Sequence, residues 1–345
     1  MNFDSSLFTN YWHLVCHKNE LSNDGDFVKF DTPIGDVVLF NDMGNVVAFD
    51  NICPHRGAKI YTQDSGNQTA SCKYHRWAYR NSKLIVPDKQ NFIDCDIENA
   101  DLNKYRLEQC GEFLFLGIEP KFELHEQLGD VIFQKLEKMS FSIEKRRDFN
   151  RYDFCCYWAV AVENALETYH VPVVHPKTLG SLELENYTDF FEGVNSVLYA
   201  EISNKKVKKQ LSLFRKFFNI EYQYEGYEAV YLFPFSMIAS NFGYAYSLQN
   251  FFPNQQNANT TKFTSRIFDA KLLKPEFSEL LESFFTSYAL SARQILEEDH
   301  EVCKLVARES WTMQPLKYAS KLEKKIEHFR QVCQLALQEN LETKI

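Results

Sequence analysis

The 345-residue sequence has no uninterrupted apolar run of the roughly 18 residues that a membrane-crossing helix needs, so no transmembrane helix is expected. The segment from Met1 to Asn10 lacks a basic stretch followed by an apolar one. No secretory leader is therefore expected, and a reducing cytoplasm is the expected compartment. An excess of positive charge is also missing: 38 Lys and Arg face 47 Asp and Glu, a formal net charge of -9. That balance argues against generic nucleic-acid binding. Internal repeats and low-complexity tracts are absent, and no cysteines stand at the C-x2-4-C spacing usual in zinc loops.

What is present suits a large buried core, since 45% of the residues are hydrophobic and 15% aromatic. The length allows two domains or one large one. Of the nine cysteines, Cys16, Cys95, Cys110, Cys155, Cys156, Cys303 and Cys333 show no ligand spacing and read as core or surface thiols. Cys53 and His55 form C-x-H, and after sixteen further residues Cys72 and His75 form C-x2-H. Two thiolates and two imidazoles on two short loops are the donor set of a Rieske [2Fe-2S] cluster, with both cysteines on one iron and both histidines on the other. Zinc is the rival reading.

The flanking residues decide between them. Cys-Pro-His-Arg-Gly-Ala at 53–58 and Cys-Lys-Tyr-His-Arg-Trp at 72–77 closely resemble the two cluster-binding loops of Rieske proteins. The second loop departs from the family's C-P-x-H-G-W, because Lys73 replaces the Pro and Arg76 the Gly. Glycine there permits unusual backbone angles or close approach, so Arg76 is expected to alter the loop or set a cation beside the cluster.

The region up to about residue 118 reads as short strands between turns. Apolar runs at 36–40 and 46–50 flank Asn-Asp-Met-Gly-Asn turn chemistry, and another at 113–118 is closed by Pro120. Beyond it, 163–170 has helical character limited by Pro172 and Pro176. Alternating aromatics, Tyr222 and Tyr224, Tyr231, Phe233 and Phe235, then Phe242, Tyr244 and Tyr246, predict sets sharing one face of a strand, core first and pocket second. Long helices are expected over 277–305 and 322–341, which makes the second region α+β. Lys205, Lys206, Lys208, Lys209, Arg215 and Lys216, interleaved with apolar residues, read as a solvated amphipathic helix, with a docking patch for an acidic electron donor or a lid as alternatives.

His170 and His175 stand five residues apart. They can converge on one metal if a helix breaks between them, and Pro172 supplies a reason for a break. One added carboxylate completes a two-histidine, one-carboxylate set that leaves positions open on Fe(II). The segment from Asn164 to His175 resembles the mononuclear-iron motif N-x2-[D/E]-x2-H-x4-H of Rieske non-haem iron oxygenases. It begins about ninety residues after the second cluster loop. With both motifs in order, the sequence resembles a catalytic α subunit of that ring-hydroxylating family over essentially its whole length.

The resemblance implies an α+β fold: an N-terminal all-β Rieske domain, 1–119, and a helix-grip (START-like) catalytic domain, 120–345, with an antiparallel sheet and long helices. It implies a [2Fe-2S] cluster on Cys53, His55, Cys72 and His75, and a mononuclear Fe(II) on His170, His175 and Asp299. Asp299 is preferred to Glu297, Glu298 and Glu301 on the local E-D-x-x-x-C pattern and its place 124 residues beyond His175. Glu167 matches the carboxylate that connects the two centres. Three residues before His170 on a helix, it would accept a hydrogen bond from that imidazole, and in the family it also reaches the second cluster histidine, here His75, across a subunit boundary. Glutamate at this bridge resembles the variant of oxygenases acting on carnitine and other quaternary amines. Asn164 is read as supporting the iron ligands or its own helix end by hydrogen bonding.

The implied activity is that of a mono- or dioxygenase component. It would use O2 and electrons from a separate NAD(P)H-dependent reductase, directly or through a ferredoxin, to hydroxylate or oxidatively dealkylate a small aromatic or quaternary-amine substrate. The implied assembly is a ring, most simply a homotrimer. The alternatives are a Rieske electron-transfer protein, which leaves about 220 residues after Pro120 without a role, and a ligand-binding helix-grip protein without catalytic iron.

Overall fold

The computed structural model describes residues 3–93, 95–222 and 224–342. The N-terminal region supplies strands β1 (His13–His17), β2 (Asp26–Thr32), β3 (Gly35–Asp42), β4 (Asn45–Asp50), β5 (Ser65–Asn67), β6 (Ala70–Ser71), β7 (Ala78–Arg80), β8 (Lys83–Ile85), β9 (Lys104–Cys110) and β10 (Phe113–Gly117). They form a seven-stranded sheet in the order β1-β10-β9-β4-β3-β2-β5 and a small sheet β6-β7-β8, all antiparallel. The β3–β4 turn is only Met43 and Gly44, both with positive φ, the conformation that matches the twist of a two-residue hairpin. At the β9–β10 turn Gly111 is required, because a Cβ there would meet Ser140 Oγ at 2.2 Å.

The unbroken apolar runs in β3 and β10 follow from burial on both faces. Val37 and Leu39 enter one core cluster, while Val38 and Phe40 enter another with Cys53, Cys72 and Trp77. Leu114 and Leu116 join the first cluster, and Phe113 and Phe115 a third.

The second sheet comprises β11 (Ile143–Phe154), β12 (Leu184–Glu192), β13 (Asn195–Ile202), β14 (Gly226–Leu232), β15 (Ser236–Asn241), β16 (Ala245–Pro253) and β17 (Thr261–Ala270), antiparallel in the order β11-β17-β16-β15-β14-β13-β12. The helices are α1 (Phe3–Asn10), α2 (Leu124–Leu128), α3 (Asp130–Phe141), α4 (Trp158–Leu166), α5 (Val171–Val174), α6 (Lys205–Phe214), α7 (Phe277–Cys303) and α8 (Lys324–Glu342). Among the described residues no helix is long and apolar enough to cross a membrane.

The two sheets share a core. One cluster joins Leu7, Val15, Val28 and Phe30 to Trp158, Phe235 and Phe329. Strand β1 is the seam: Asn250 Nδ2 donates to the Leu14 carbonyl at 2.8 Å, and the buried Arg266 guanidinium donates to that of Val15.

The expected alternation of aromatics along strands needs correction. Tyr231 and Tyr246 lie in strands, but Tyr222 and Tyr224 precede β14, Phe233 and Phe235 lie in the β14–β15 turn, and Phe242 and Tyr244 in the β15–β16 turn. A tight turn can send rings two residues apart back into the core, which imitates the strand period; Phe233 and Phe235 enter one cluster and Phe242 and Tyr244 another. The basic stretch does form a helix, α6, with Asn204 capping it by accepting from the amides of Lys206 and Val207.

Candidate cluster and mononuclear metal sites

The two Cys/His loops have one backbone plan. Cys53 N donates to Ala58 O and Gly57 N to Cys53 O, at 2.8 and 2.9 Å; Cys72 N donates to Trp77 O and Arg76 N to Cys72 O, at the same distances. Gly57 and Arg76 are thus equivalent, and both are left-handed, with φ of 75° and 61°. Arg76 adopts the backbone that a glycine would take there, and its side chain is exposed. The loop keeps its shape, and the substitution adds a cation to its surface.

The loops bring the four donors together. Cys53 and Cys72 are buried, the ring centroids of His55 and His75 are 4.6 Å apart, and His55 stacks on Trp77 at 4.7 Å. Burial above all, and the adjacent Cys72, hold the Cys53 thiol above its ordinary range in the metal-free chain. Nδ1 of His55 is buried without a hydrogen-bond partner. An orphaned imidazole nitrogen beside two buried thiols fits a bound iron-sulfur cluster, which would satisfy all three.

The second site forms where α4, α5 and α7 meet. Helix α4 ends at Leu166, and Glu167, Thr168 and Tyr169 lead into the single turn of α5, which His170 and His175 flank at its two ends. The chain therefore breaks before His170, not between the histidines. Pro172 sits in the first turn of α5, where its missing N–H is harmless, so it helps to start that turn.

Nε2 of His175 lies 2.9 Å, and Nε2 of His170 3.4 Å, from Oδ1 of Asp299. The three ligand atoms all lie within 4.8 Å of one another. Each histidine turns its other nitrogen to a second carboxylate: His170 Nδ1 to Glu167, and His175 Nδ1 to Glu298 at 2.7 Å. That arrangement leaves both Nε2 atoms facing Asp299, where the three groups can act as a two-histidine, one-carboxylate iron site. Asn164 Nδ2 donates to Asp299 Oδ1 at 2.7 Å. Burial opposes charge on His170, but Asp299 and Glu167 together raise its pKa to about 9; His175 is also raised, against burial, by Asp299 and Glu298. The donors fit a divalent metal, which would replace the protons.

Glu167 makes its expected contact from an unexpected place. It is not on a helix: its backbone is extended at the end of α4, and its carboxylate also accepts from the amides of Tyr169 and His170. Glu298, weighed from sequence as a competing ligand, instead orients His175 and is itself held by Thr178 Oγ1 at 2.9 Å and Gln294 Nε2 at 2.8 Å. The adjacent acids Glu298 and Asp299 were the available signal. Side chains one residue apart on a helix diverge by about 100°, so one acid can meet Nε2 and the other Nδ1.

Residues 143–339 match the family model described as the ring hydroxylating alpha subunit (catalytic domain). The chain belongs to the ring-hydroxylating α-subunit family. Residues 11–90 match the Rieske [2Fe-2S] domain as well. The cofactors of these two domains are a [2Fe-2S] cluster and a mononuclear iron.

Among relatives, the carnitine monooxygenase oxygenase subunit of Escherichia coli (strain K12) is 27% identical over 201 residues, 54% of this chain and 52% of that protein. The anthranilate 1,2-dioxygenase large subunit of Acinetobacter baylyi is 28% identical over 180 residues, 49% and 38% respectively. The aligned part thus spans about half the length of the carnitine relative and less of the anthranilate one. The fold matches that of the quaternary ammonium Rieske monooxygenase CntA in complex with L-carnitine, with TM-score 0.71, 19% identity, and 96% of this chain and 90% of that one covered. It also matches naphthalene 1,2-dioxygenase from Rhodococcus sp. bound to indole, with TM-score 0.70, 15% identity, and coverage of 97% and 91%.

Proposed function

We propose that this chain is the oxygenase component of a Rieske oxygenase system, acting with O2 and a separate NAD(P)H-dependent reductase, directly or through a ferredoxin, to hydroxylate or oxidatively dealkylate a small organic molecule. The observation that carries this reading is the pairing of each histidine of the His170, His175 and Asp299 set with its own second carboxylate. In this reading residues 1–119 hold the cluster through Cys53, His55, Cys72 and His75, and 120–345 hold the iron through His170, His175 and Asp299. When bound, the cluster supplies single electrons and the iron activates dioxygen beside the substrate.

The side chains have distinct tasks. Glu167 and Glu298 keep both Nδ1 atoms protonated and both Nε2 atoms free for metal, and Asn164 fixes the Asp299 carboxylate. Glu167 is the bridging carboxylate, reaching toward His75 of a neighbouring copy in a homotrimeric ring in the cytoplasm. Support for an outward reach is its position on a cavity lined also by His170, Glu323 and Arg330. The relatives' names include carnitine, glycine betaine, anthranilate and toluate, so aromatic and quaternary-amine substrates are both in scope.

Metal analysis of the reconstituted chain tests the reading. Two irons with two labile sulfides per chain would leave only a cluster protein and sink it; a third iron, with O2 uptake that depends on an added organic molecule and a surrogate reductase, is the expected result.

A further inference from the structure

A cavity of about 270 Å³ lies between the second sheet and helix α7. Tyr227, Ala239, Asn241, Ser247 and Gln249 of neighbouring strands form one wall. Helix α7 forms the other through Phe284, Tyr288, Ser291 and Ile295, spaced three or four residues apart on one face. Four residues after Ile295 the same helix face presents Asp299, so the stripe leads from the cavity to the metal ligands. Thr178 also joins the two, lining the cavity while donating to the Glu298 carboxylate that orients His175.

The cavity contains no Lys, Arg, His, Asp or Glu among the described residues that line it. Its polar groups are hydroxyls and amides. The hydroxyls of Tyr227 and Tyr288 make no hydrogen bond to any described residue, although burial holds both phenols above their ordinary pKa. They remain open to a ligand. The nearest carboxylates are engaged, Asp299 with His170, His175 and Asn164, and Glu298 with His175, Thr178 and Gln294.

We propose, on the oxygenase reading above, that this cavity takes a neutral, mainly apolar molecule of one or two rings whose single polar group hydrogen-bonds to the Tyr227 and Tyr288 hydroxyls, and that it rejects carboxylates. A buried carboxylate here would have no cation, and an unpaired buried charge costs several kcal/mol. An apolar cavity of roughly 150 Å³ accommodates benzene, so this one has room for two fused rings. A second cavity, lined by Glu163, Glu167, Glu323 and Arg330 among others, differs in carrying charge.

A matched set of probes tests the assignment on the reconstituted full chain by calorimetric titration, a readout independent of turnover. Naphthalene and 1-naphthol are expected to bind at least tenfold tighter than 1-naphthoate. In the double variant Tyr227→Phe, Tyr288→Phe, 1-naphthol affinity is expected to fall about tenfold while naphthalene stays within twofold. 1-Naphthoate binding as tightly as 1-naphthol overturns the proposal, as does failure of both neutral probes to bind or an unchanged 1-naphthol affinity in the double variant. Tighter binding of 1-naphthoate, with substrate-dependent O2 uptake intact, removes this inference alone. Neutral binding with no O2 uptake for any probe removes the oxygenase reading and leaves the cavity assignment standing.

Discussion

Glu167 accepts the hydrogen bond of His170 Nδ1 from an extended residue just beyond the end of α4, while the same carboxylate gathers the amides of Tyr169 and His170. One side chain therefore orders the turn into α5, orients the imidazole and leaves its Nε2 toward Asp299. Replacing Glu167 by Ala is expected to keep the visible spectrum of the cluster, retain at least part of the mononuclear iron, and lower substrate oxidation by about 100-fold, the upper end of what loss of such a partner costs. Near-normal turnover in this variant would refute the bridging role.

Asp299 stands between the two Nε2 atoms and is the shared acceptor of His170, His175 and Asn164. Asp299→Ala should reduce the iron content to that of the [2Fe-2S] cluster alone while the cluster's absorbance persists. Retention of the additional iron would show that another carboxylate, with Glu298 the nearest, serves as ligand.

Iron uptake by the metal-free second site should depend on pH. His170 is raised to about 9 against burial by Asp299 and Glu167, and His175 is raised as well, so at neutral pH incoming metal must displace protons from both. Raised histidine pKa values move deprotonation to higher pH, so apparent Fe(II) affinity should climb from pH 6 toward 9 and level off above it. Anaerobic titrations across that range measure the slope. A flat profile would mean that the two imidazoles are neutral before metal arrives.

Lys325 is 2% exposed, and its ammonium has no hydrogen-bond partner among the described residues. Burial lowers its pKa to about 8, with Asp189 and Glu167 opposing. Below pH 8 both folded and unfolded chains carry the charge and only the folded one bears its desolvation; between 8 and 10.5 the folded chain sheds it first, and the penalty fades. Lys325→Met should therefore stabilise the protein by about 1–3 kcal/mol at pH 7, with the gain shrinking above pH 8. Urea unfolding of both proteins at pH 7 and pH 10 reads the difference.

Arg76 shares the left-handed backbone of Gly57 in the companion loop. Arg76→Gly should preserve the cluster spectrum and remove about 1 kcal/mol of backbone strain. Withdrawing an exposed cation beside the cluster should also lower its midpoint potential, on the order of 10 mV, and less at high salt. A raised potential would place the guanidinium's influence elsewhere.

Much of this was legible before any coordinates. The two Cys/His loops are short and local, and their donors lie within a few residues of the turns that present them, so spacing and loop chemistry identify the site. His170 and His175 are local in the same way. The roles of Glu298, Tyr227 and Tyr288 were not legible, because they depend on α7 lying against α5 and the second sheet, contacts between residues far apart in the chain, as His175 and Glu298 are. The turn aromatics misled for a related reason: period two is shared by strands and by tight turns whose rings fold inward.

The sequence by itself determined the order of the two Cys/His loops and the His170–His175 segment along the chain, which nominates the candidate donors, and the division into an N-terminal β region and an α+β remainder. These follow from residue chemistry and spacing that survive without tertiary contacts. Only the tertiary structure decided which nitrogen each histidine turns toward the metal, that Glu298 orients His175, that Glu167 acts from a helix end, and that the cavity beside Asp299 carries no charge. Those properties come from helices and strands packed against one another, where burial and a partner distant in sequence select one geometry among many that the local chain permits.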